Sequence, residues 1–174
     1  IFISIASYRD PELLPTIRDC IKRAEHPEDL VFAIAWQHSK DDEWDTLEEF
    51  VEDPRFRIID IPSEDSKGAC WARNLAQKEY KNEDYYMQLD SHHRFAKKWD
   101  TSCKQMLQQL KDKGHKKPLL TAYIPSYNPK NDPGERVKVP WKLNFDRFTP
   151  EGIIFMIPAA FEEWQDLSSP VPSR

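Results

Sequence analysis

The stretch Ile1–Gln37, IFISIASYRDPELLPTIRDCIKRAEHPEDLVFAIAWQ, decides the fold class. It opens on IFISIAS, an apolar run rich in β-branched residues that reads as a buried strand. Asp10 with Pro11 is a helix start, and Leu13, Leu14, Ile17, Cys20, Ile21 and Ala24 then recur at helical spacing until Pro27 ends the pattern. LVFAIAWQ (30–37) is a second strand.

The same alternation continues outward. DDEWDTLEEFVED (41–53) is acidic with an apolar stripe of Trp44, Leu47 and Val51, the pattern of a surface helix. FRIIDIP (56–62) is a third strand. SKGACWARNLAQKEY (66–80) reads as a helix capped by Ser66 and running to Tyr80. DYYMQLD (84–90) is a fourth strand, KKWDTSCKQMLQQLKDKG (97–114) a helix stopped by Gly114, and PLLTAYI (118–124) a fifth strand. Strands and helices in alternation predict an α/β fold with a mostly parallel sheet and right-handed crossovers. From 125 to 152 the periodicity stops and five prolines appear, Pro125, Pro129, Pro133, Pro140 and Pro150. This reads as a long Pro/aromatic loop, with Tyr123, Tyr127, Trp141, Phe145 and Phe148 favouring a packed, functional one. GIIFMIP (152–158) reads as a strand returning to the sheet, and AAFEEWQDL (159–167) as a short amphipathic segment.

Composition narrows the class. The 174 residues suit one domain with a core of its own. The chain starts at Ile1 inside an apolar run and ends in SSPVPSR, so it reads as a piece of a longer protein. With 25 basic and 30 acidic residues the net charge is −5, which argues against a nucleic-acid partner. Six Trp and nine Phe argue against disorder. No apolar run approaches the ~20 residues of a membrane helix. Cys20, Cys70 and Cys103 form neither a metal spacing nor a disulfide framework, so each reads as a small buried hydrophobe in a reducing compartment.

Ligands of parallel α/β sheets bind beyond the carboxyl ends of the strands. Three stretches fall there: SYRD (7–10), SEDSKGACWARN (63–74) and LDSHH (89–93). Asp90 and His92 stand two apart, so continued strand geometry aims both to one side. A carboxylate and an imidazole make a partial site for Mn²⁺ or a similar cation, with a diphosphate filling other positions. The residues alone leave a second reading open, in which Asp90 caps a helix and the histidines lie on the surface. Ser66, Lys67 and Gly68 stand at a helix N-terminus, where amide groups favour an anion, with Arg73 and Asn74 further in. Taken alone, that stretch fits a capped core helix better, because one Gly with one Lys is a weak signal. Tyr8 offers a ring to a base and Arg9 a guanidinium to a phosphate.

The strings SIASYRDPEL, TIRDCI, SKGACWARN, YYMQLDSHHRF, WD at Trp99–Asp100 and PWKLNFDRFTPEGI, occurring in this order, resemble the polypeptide α-N-acetylglucosaminyltransferase family over nearly the whole chain. The resemblance implies a GT-A glycosyltransferase fold of Rossmann-like α/β type, using UDP-GlcNAc and a divalent metal, Mn²⁺ or Mg²⁺. It implies retaining transfer of GlcNAc to a hydroxyl of an acceptor polypeptide, hydroxyproline or Ser/Thr, and cytoplasmic residence. Asp90-Ser91-His92 is similar to the Asp-x-His metal motif. By that similarity Asp90 and His92 hold the metal and Ser91 lies near the ribose or diphosphate. Ser7, Tyr8 and Arg9 then lie against the uridine, and Lys67, Gly68, Arg73 and Asn74 approach the sugar diphosphate. His93 is assigned a structural or supporting role and Arg94 none. The family pattern continues beyond PVPSR into a region with much of the acceptor site and a third metal ligand, so residues 1–174 correspond to a single GT-A domain cut on its acceptor side. Two other functions share the strand-tip acids or the soluble composition. They are a metal-dependent nucleotidyltransferase, which lacks its Gly-rich triphosphate loop here, and a non-enzymatic protein-binding module using 125–150.

Overall fold

The computed structural model describes residues 1–121, 124–137 and 139–162. The chain divides into two compact units, Ile1–Gln109 and Leu110–Arg174.

The first unit holds β1 (Phe2–Tyr8), α1 (Leu13–Arg23), β2 (Val31–His38), β3 (Phe56–Pro62), α2 (Ala69–Lys78), β4 (Tyr86–Asp90) and most of α3 (Trp99–Asp112). Its four strands form one sheet in the order β3-β2-β1-β4, every pair parallel. The first four strands expected from sequence are therefore present together, in an α/β arrangement compatible with a Rossmann-like layer. β1 is paired on both edges from Phe2 to Ala6 and packed on both faces, and this is why IFISIAS is mostly apolar without alternation. On one face Ile3, Ile5, Phe32, Ile34 and Leu89 pack with Leu13, Ile17 and Cys20 of α1 and Trp99 of α3. On the other, Phe2, Ala33, Ala35 and Ile61 meet Ala72 and Ala76 of α2. Alanines on both sides of that contact bring α2 close to the sheet, which matters for the site at its N-terminus.

Buried polar groups fix where the helices begin and end. Asp100 is wholly buried and accepts the amides of Glu25 (2.8 Å) and His26 (2.9 Å), just past the end of α1. Burial alone would raise its carboxyl, but the amide bonds outweigh that and hold it below its ordinary value. The neighbouring Trp99 indole donates to the Cys20 carbonyl at 2.9 Å. The end of α1 is therefore set at Arg23 by these contacts, ahead of Pro27, which starts a short 3₁₀ turn. α3 stops as expected at Gly114 (φ +93°), whose amide bonds the Lys111 carbonyl while the His115 amide reaches Leu110.

Several expectations are corrected. Residues 41–53 form no α-helix, only a 3₁₀ turn at Glu48–Phe50. Leu47 and Phe50 are buried while Trp44 and Val51 are exposed. The crowded acids repel within a helix, and tertiary partners draw them off: Asp42 pairs with Arg9, and Asp45 accepts from the Trp36 indole at 2.6 Å. α2 starts at Ala69 with Gly68, not Ser66, as its cap residue. α1 starts at Leu13, because the Asp10 side chain bonds the Glu12 amide in a turn that delays the first helical residue. Cys20 is buried and burial pushes its thiol up, Cys103 is half-buried, but Cys70 is exposed on α2.

In the second unit, 118–121 is not strand, and Leu119 is largely exposed. Ala122 and Tyr123 of the expected fifth strand lie outside the described residues. The stretch 125–152, expected as loop, contains a 3₁₀ turn at Pro129–Asn131 and β5 (Trp141–Phe148). β5 pairs antiparallel with β6 (Ile154–Ala160) in a separate two-stranded sheet, so GIIFMIP does not join the parallel one. The Thr149–Gly152 turn that joins them, closed by Gly152 amide to Thr149 carbonyl at 2.9 Å, carries the hairpin signal that proline counting obscured. AAFEEWQDL is described only to Glu162, with Ala159 and Ala160 in β6. No helix among the described residues is long and apolar enough to cross a membrane.

Replacing Asp100→Ala strands two amides and is expected to cost about 2–4 kcal/mol, read as a lower urea midpoint. Because the folded carboxyl lies below its unfolded value, its stabilisation is complete above about pH 4 and lost as pH falls through the folded value. The gap between Asp100→Ala and the parent should therefore close in acid. Gly68 (φ +91°, ψ 171°) occupies a region open only to glycine, and a Cβ there meets no atom of the described residues within 4 Å. Gly68→Ala should thus cost about 1–3 kcal/mol by backbone strain alone; an unchanged midpoint would refute this.

Candidate functional site

The strand order reverses between β1 and β4, the place where open α/β sheets take ligands at their carboxyl ends. Ala6 of β1 is the register partner of both Ala35 and Asp90, so the tips of three strands meet there. Beside them a cleft of 270 Å³ is lined by Ala6, Tyr8, Gln37, Ser66, Gly68 and Ala69. Its wall includes the first residue of α2 and its cap, where amides lack helical partners. A larger hollow of 430 Å³, lined by His26, Tyr85 and Lys104 among others, lies away from the strand carboxyl ends and gathers no comparable set of groups.

Gln37 organises the cleft. It is buried, donates from Nε2 to the Ser7 carbonyl (2.9 Å) and accepts the Ser66 hydroxyl on Oε1 (2.6 Å). Ser66 Oγ in turn accepts the Gly68 amide at 3.3 Å. One side chain at the end of β2 thus ties the tip of β1 to the entry of α2. Sequence reading passed over it, though a lone amide ending an apolar strand was the available signal.

Asp90 ends β4, and its Oδ1 accepts from Arg73 Nη2 of α2 at 2.7 Å. The candidate metal ligand and the candidate phosphate contact are therefore paired with each other. Ser91 and His92 turn to a different partner. Both reach Asp10 Oδ2, Ser91 Oγ at 2.6 Å and His92 Nδ1 at 2.8 Å. The strand ends at Asp90, so alternation does not carry through to His92 as expected, and two successive side chains meet one carboxylate. Burial pushes the Asp10 carboxyl up, yet the bonds from Ser91, His92 and the Glu12 amide prevail and hold it below its usual range.

The remaining residues fall into place individually. Tyr8 is exposed at the cleft. Arg9, in the left-handed region (φ +46°), forms a bidentate pair with Asp42 (2.6 and 3.0 Å). Ser7 is buried, and its hydroxyl has no hydrogen-bond partner among the described residues. The Lys67 ammonium lies 5.7 Å from the Trp71 ring centre, and Asn74 is exposed on α2 outside the cleft lining. His93 is half-buried, its Nδ1 3.0 Å from the Asp90 carbonyl and its amide bonded to Thr16; burial holds its ring below the ordinary imidazole value. Arg94 bonds Glu12 and the His93 carbonyl, so it fastens the β4 tip to the start of α1.

Among the described residues no group of three or more His, Cys, Asp or Glu is placed to hold a metal ion. Asp90 and His92 nevertheless fit a divalent cation in kind. Arg73 engages only Oδ1 of Asp90, Asp10 engages only Nδ1 of His92, and the His92 side chain is 60% exposed. One carboxylate oxygen and one imidazole nitrogen are an O/N donor pair suited to such an ion.

No curated protein and no solved structure matches the chain. A family model does, over residues 1–53 and 43–174, which together span its length. With a switch-point cleft, a helix N-terminus in its wall and acids at the strand tips already in view, that match shows that the chain belongs to the family described as Glycosyltransferase (GlcNAc).

Proposed function

We propose that this chain is the donor-binding part of a GT-A-type, metal-dependent, retaining transferase that moves N-acetylglucosamine from UDP-GlcNAc to a polypeptide hydroxyl, of hydroxyproline or Ser/Thr. The observation that carries the reading is the junction of Asp90, Arg73 and the Gly68–Ala69 helix entry at one set of strand tips. A diphosphate needs amide donors, a guanidinium and a counter-cation, and those three provisions stand side by side. The exposed ring of Tyr8 offers a stacking surface for the base.

In the transfer the anomeric carbon loses its bond to the diphosphate oxygen and gains one to the acceptor oxygen, whose proton departs. Negative charge grows on the leaving diphosphate, and fixed positive groups there lower the barrier. Arg73 is suited to that task, being a fork already directed at the strand tip. A divalent cation held by Asp90 and His92 would neutralise the same charge. Arg73 and Asp90 are 36% and 43% exposed, so their pair contributes about 0–1 kcal/mol and separates at little cost when ligand arrives.

Calorimetric titration with UDP-GlcNAc, with and without Mn²⁺, tests the reading. Binding should require Mn²⁺. It should weaken about tenfold or more in Asp90→Ala and by about ten- to a hundredfold in Arg73→Ala, the scale of one charge-assisted hydrogen bond. A folded sample that releases no heat in either condition would overturn the donor site.

A further inference from the structure

Asp10 closes the SYRD stretch without having been given a role at the site, and its obvious role, as a helix start, is local. Its Oδ1 accepts the Glu12 amide at 2.9 Å and shapes the entry to α1. Its other oxygen does something unconnected with that helix. Oδ2 takes both the Ser91 hydroxyl (2.6 Å) and His92 Nδ1 (2.8 Å), from residues more than eighty positions away. Ser91 is buried, so this half of the contact is sheltered, while the His92 ring projects into solvent.

An ionised carboxylate can only accept hydrogen bonds. The ring nitrogen facing it must therefore carry the proton. In a neutral imidazole this leaves the lone pair on Nε2, the atom remote from Asp10. A surface histidine without such a partner interconverts freely between tautomers and rotates; this one is held in one form and one direction.

We propose that Asp10 is a positioning residue for His92, fixing the Nδ1–H tautomer so that the Nε2 lone pair is presented outward at the strand tips as a ready ligand for a divalent cation. The cation part rests on the reading given under Proposed function; the tautomer part does not. The geometry is that of a metal-binding histidine whose second nitrogen is oriented by a carboxylate, an arrangement whose loss typically weakens metal binding about ten- to a hundredfold.

Asp10→Asn makes the sharpest test, because it preserves size and can still accept the Glu12 amide. Its other terminus becomes an NH₂ donor, which requires a bare Nδ1 and so drives the proton to Nε2. Long-range ¹H–¹⁵N correlation on the histidine-labelled chain, with His92 assigned by its loss in His92→Gln, reads the tautomer directly. The parent should show Nδ1–H and Asp10→Asn should show Nε2–H. Titration with Mn²⁺ alone should then give about ten- to a hundredfold weaker binding in Asp10→Asn. In the His92→Ala background the same substitution should change Mn²⁺ affinity little, an outcome that a merely structural role for Asp10 would not produce. Asp10→Ala, freed of the new donor, should give a mixture of tautomers. A parent ring protonated on Nε2, or a tautomer indifferent to Asp10→Asn, overturns the proposal, as does an inverted tautomer with undiminished Mn²⁺ binding. An inverted tautomer with no Mn²⁺ bound by either protein upholds the positioning and overturns the metal reading instead.

Discussion

Parallel pairing of β1 on both of its edges is the constraint from which the site follows. A strand hydrogen-bonded on two sides and covered on both faces has room only for apolar or small side chains, and Phe2–Ala6 complies with Phe, Ile, Ala and one serine. The polar residues that follow are then delivered together at one place. Tyr8, Arg9 and Asp10 leave β1 where Gln37 leaves β2 and Asp90 leaves β4, because the register sets Ala6 opposite both Ala35 and Asp90. The Asp90–Arg73 pair and the Gln37 contact with Ser7 assemble from strand ends and the first turns of a helix, while Asp42 and Ser66 come in from the connections that follow β2 and β3.

Charge at these tips is organised as local pairs. Asp90 faces Arg73, Asp42 faces Arg9, and Asp10 gathers Ser91 and His92. Each pair joins segments distant in sequence, so the pairs also hold the loops in register. Arg94 with Glu12 at the start of the first helix, and Asp100 with the amides just past its end, do the same work. The helix α1 is thus clamped at its start by the β4 tip and at its end by α3, which leaves its position little freedom to vary.

Much of the first unit was legible because its two central strands, β1 and β2, are buried on both faces and its helices have one apolar stripe. Those patterns survive in any environment the core allows. The failures fall where tertiary contacts outbid local preference. Residues 41–53 carry helical spacing, yet Asp42 and Asp45 find Arg9 and the Trp36 indole more favourable than a turn of helix crowded with acids. In the second unit the prolines read as loop, but Pro140 and Pro150 flank β5 rather than interrupt it. For the site, residue types at strand ends identified Asp90, Arg73, Tyr8 and Gly68 as candidates, and the structure sets them around the same tips. Pairing partners were not legible. Asp10 looked like a cap, and Gln37 like the end of a strand, because the groups they bind lie tens of residues away.

The pairing has a consequence for how such a site would take an anion with a cation. Asp90 is not waiting with an open carboxylate, since Arg73 already neutralises half of it. Bringing in a divalent cation and a diphosphate would release Arg73 from Asp90 and give it the diphosphate instead, while the cation takes over the carboxylate. The net charge change at the tip is then small, and the desolvation of each new group is offset by one already given up. Binding of this kind is an exchange of partners, whose strength is a difference between two sets of ion pairs. Cation and diphosphate would consequently favour each other's binding, because each removes the competitor that the other would have to displace.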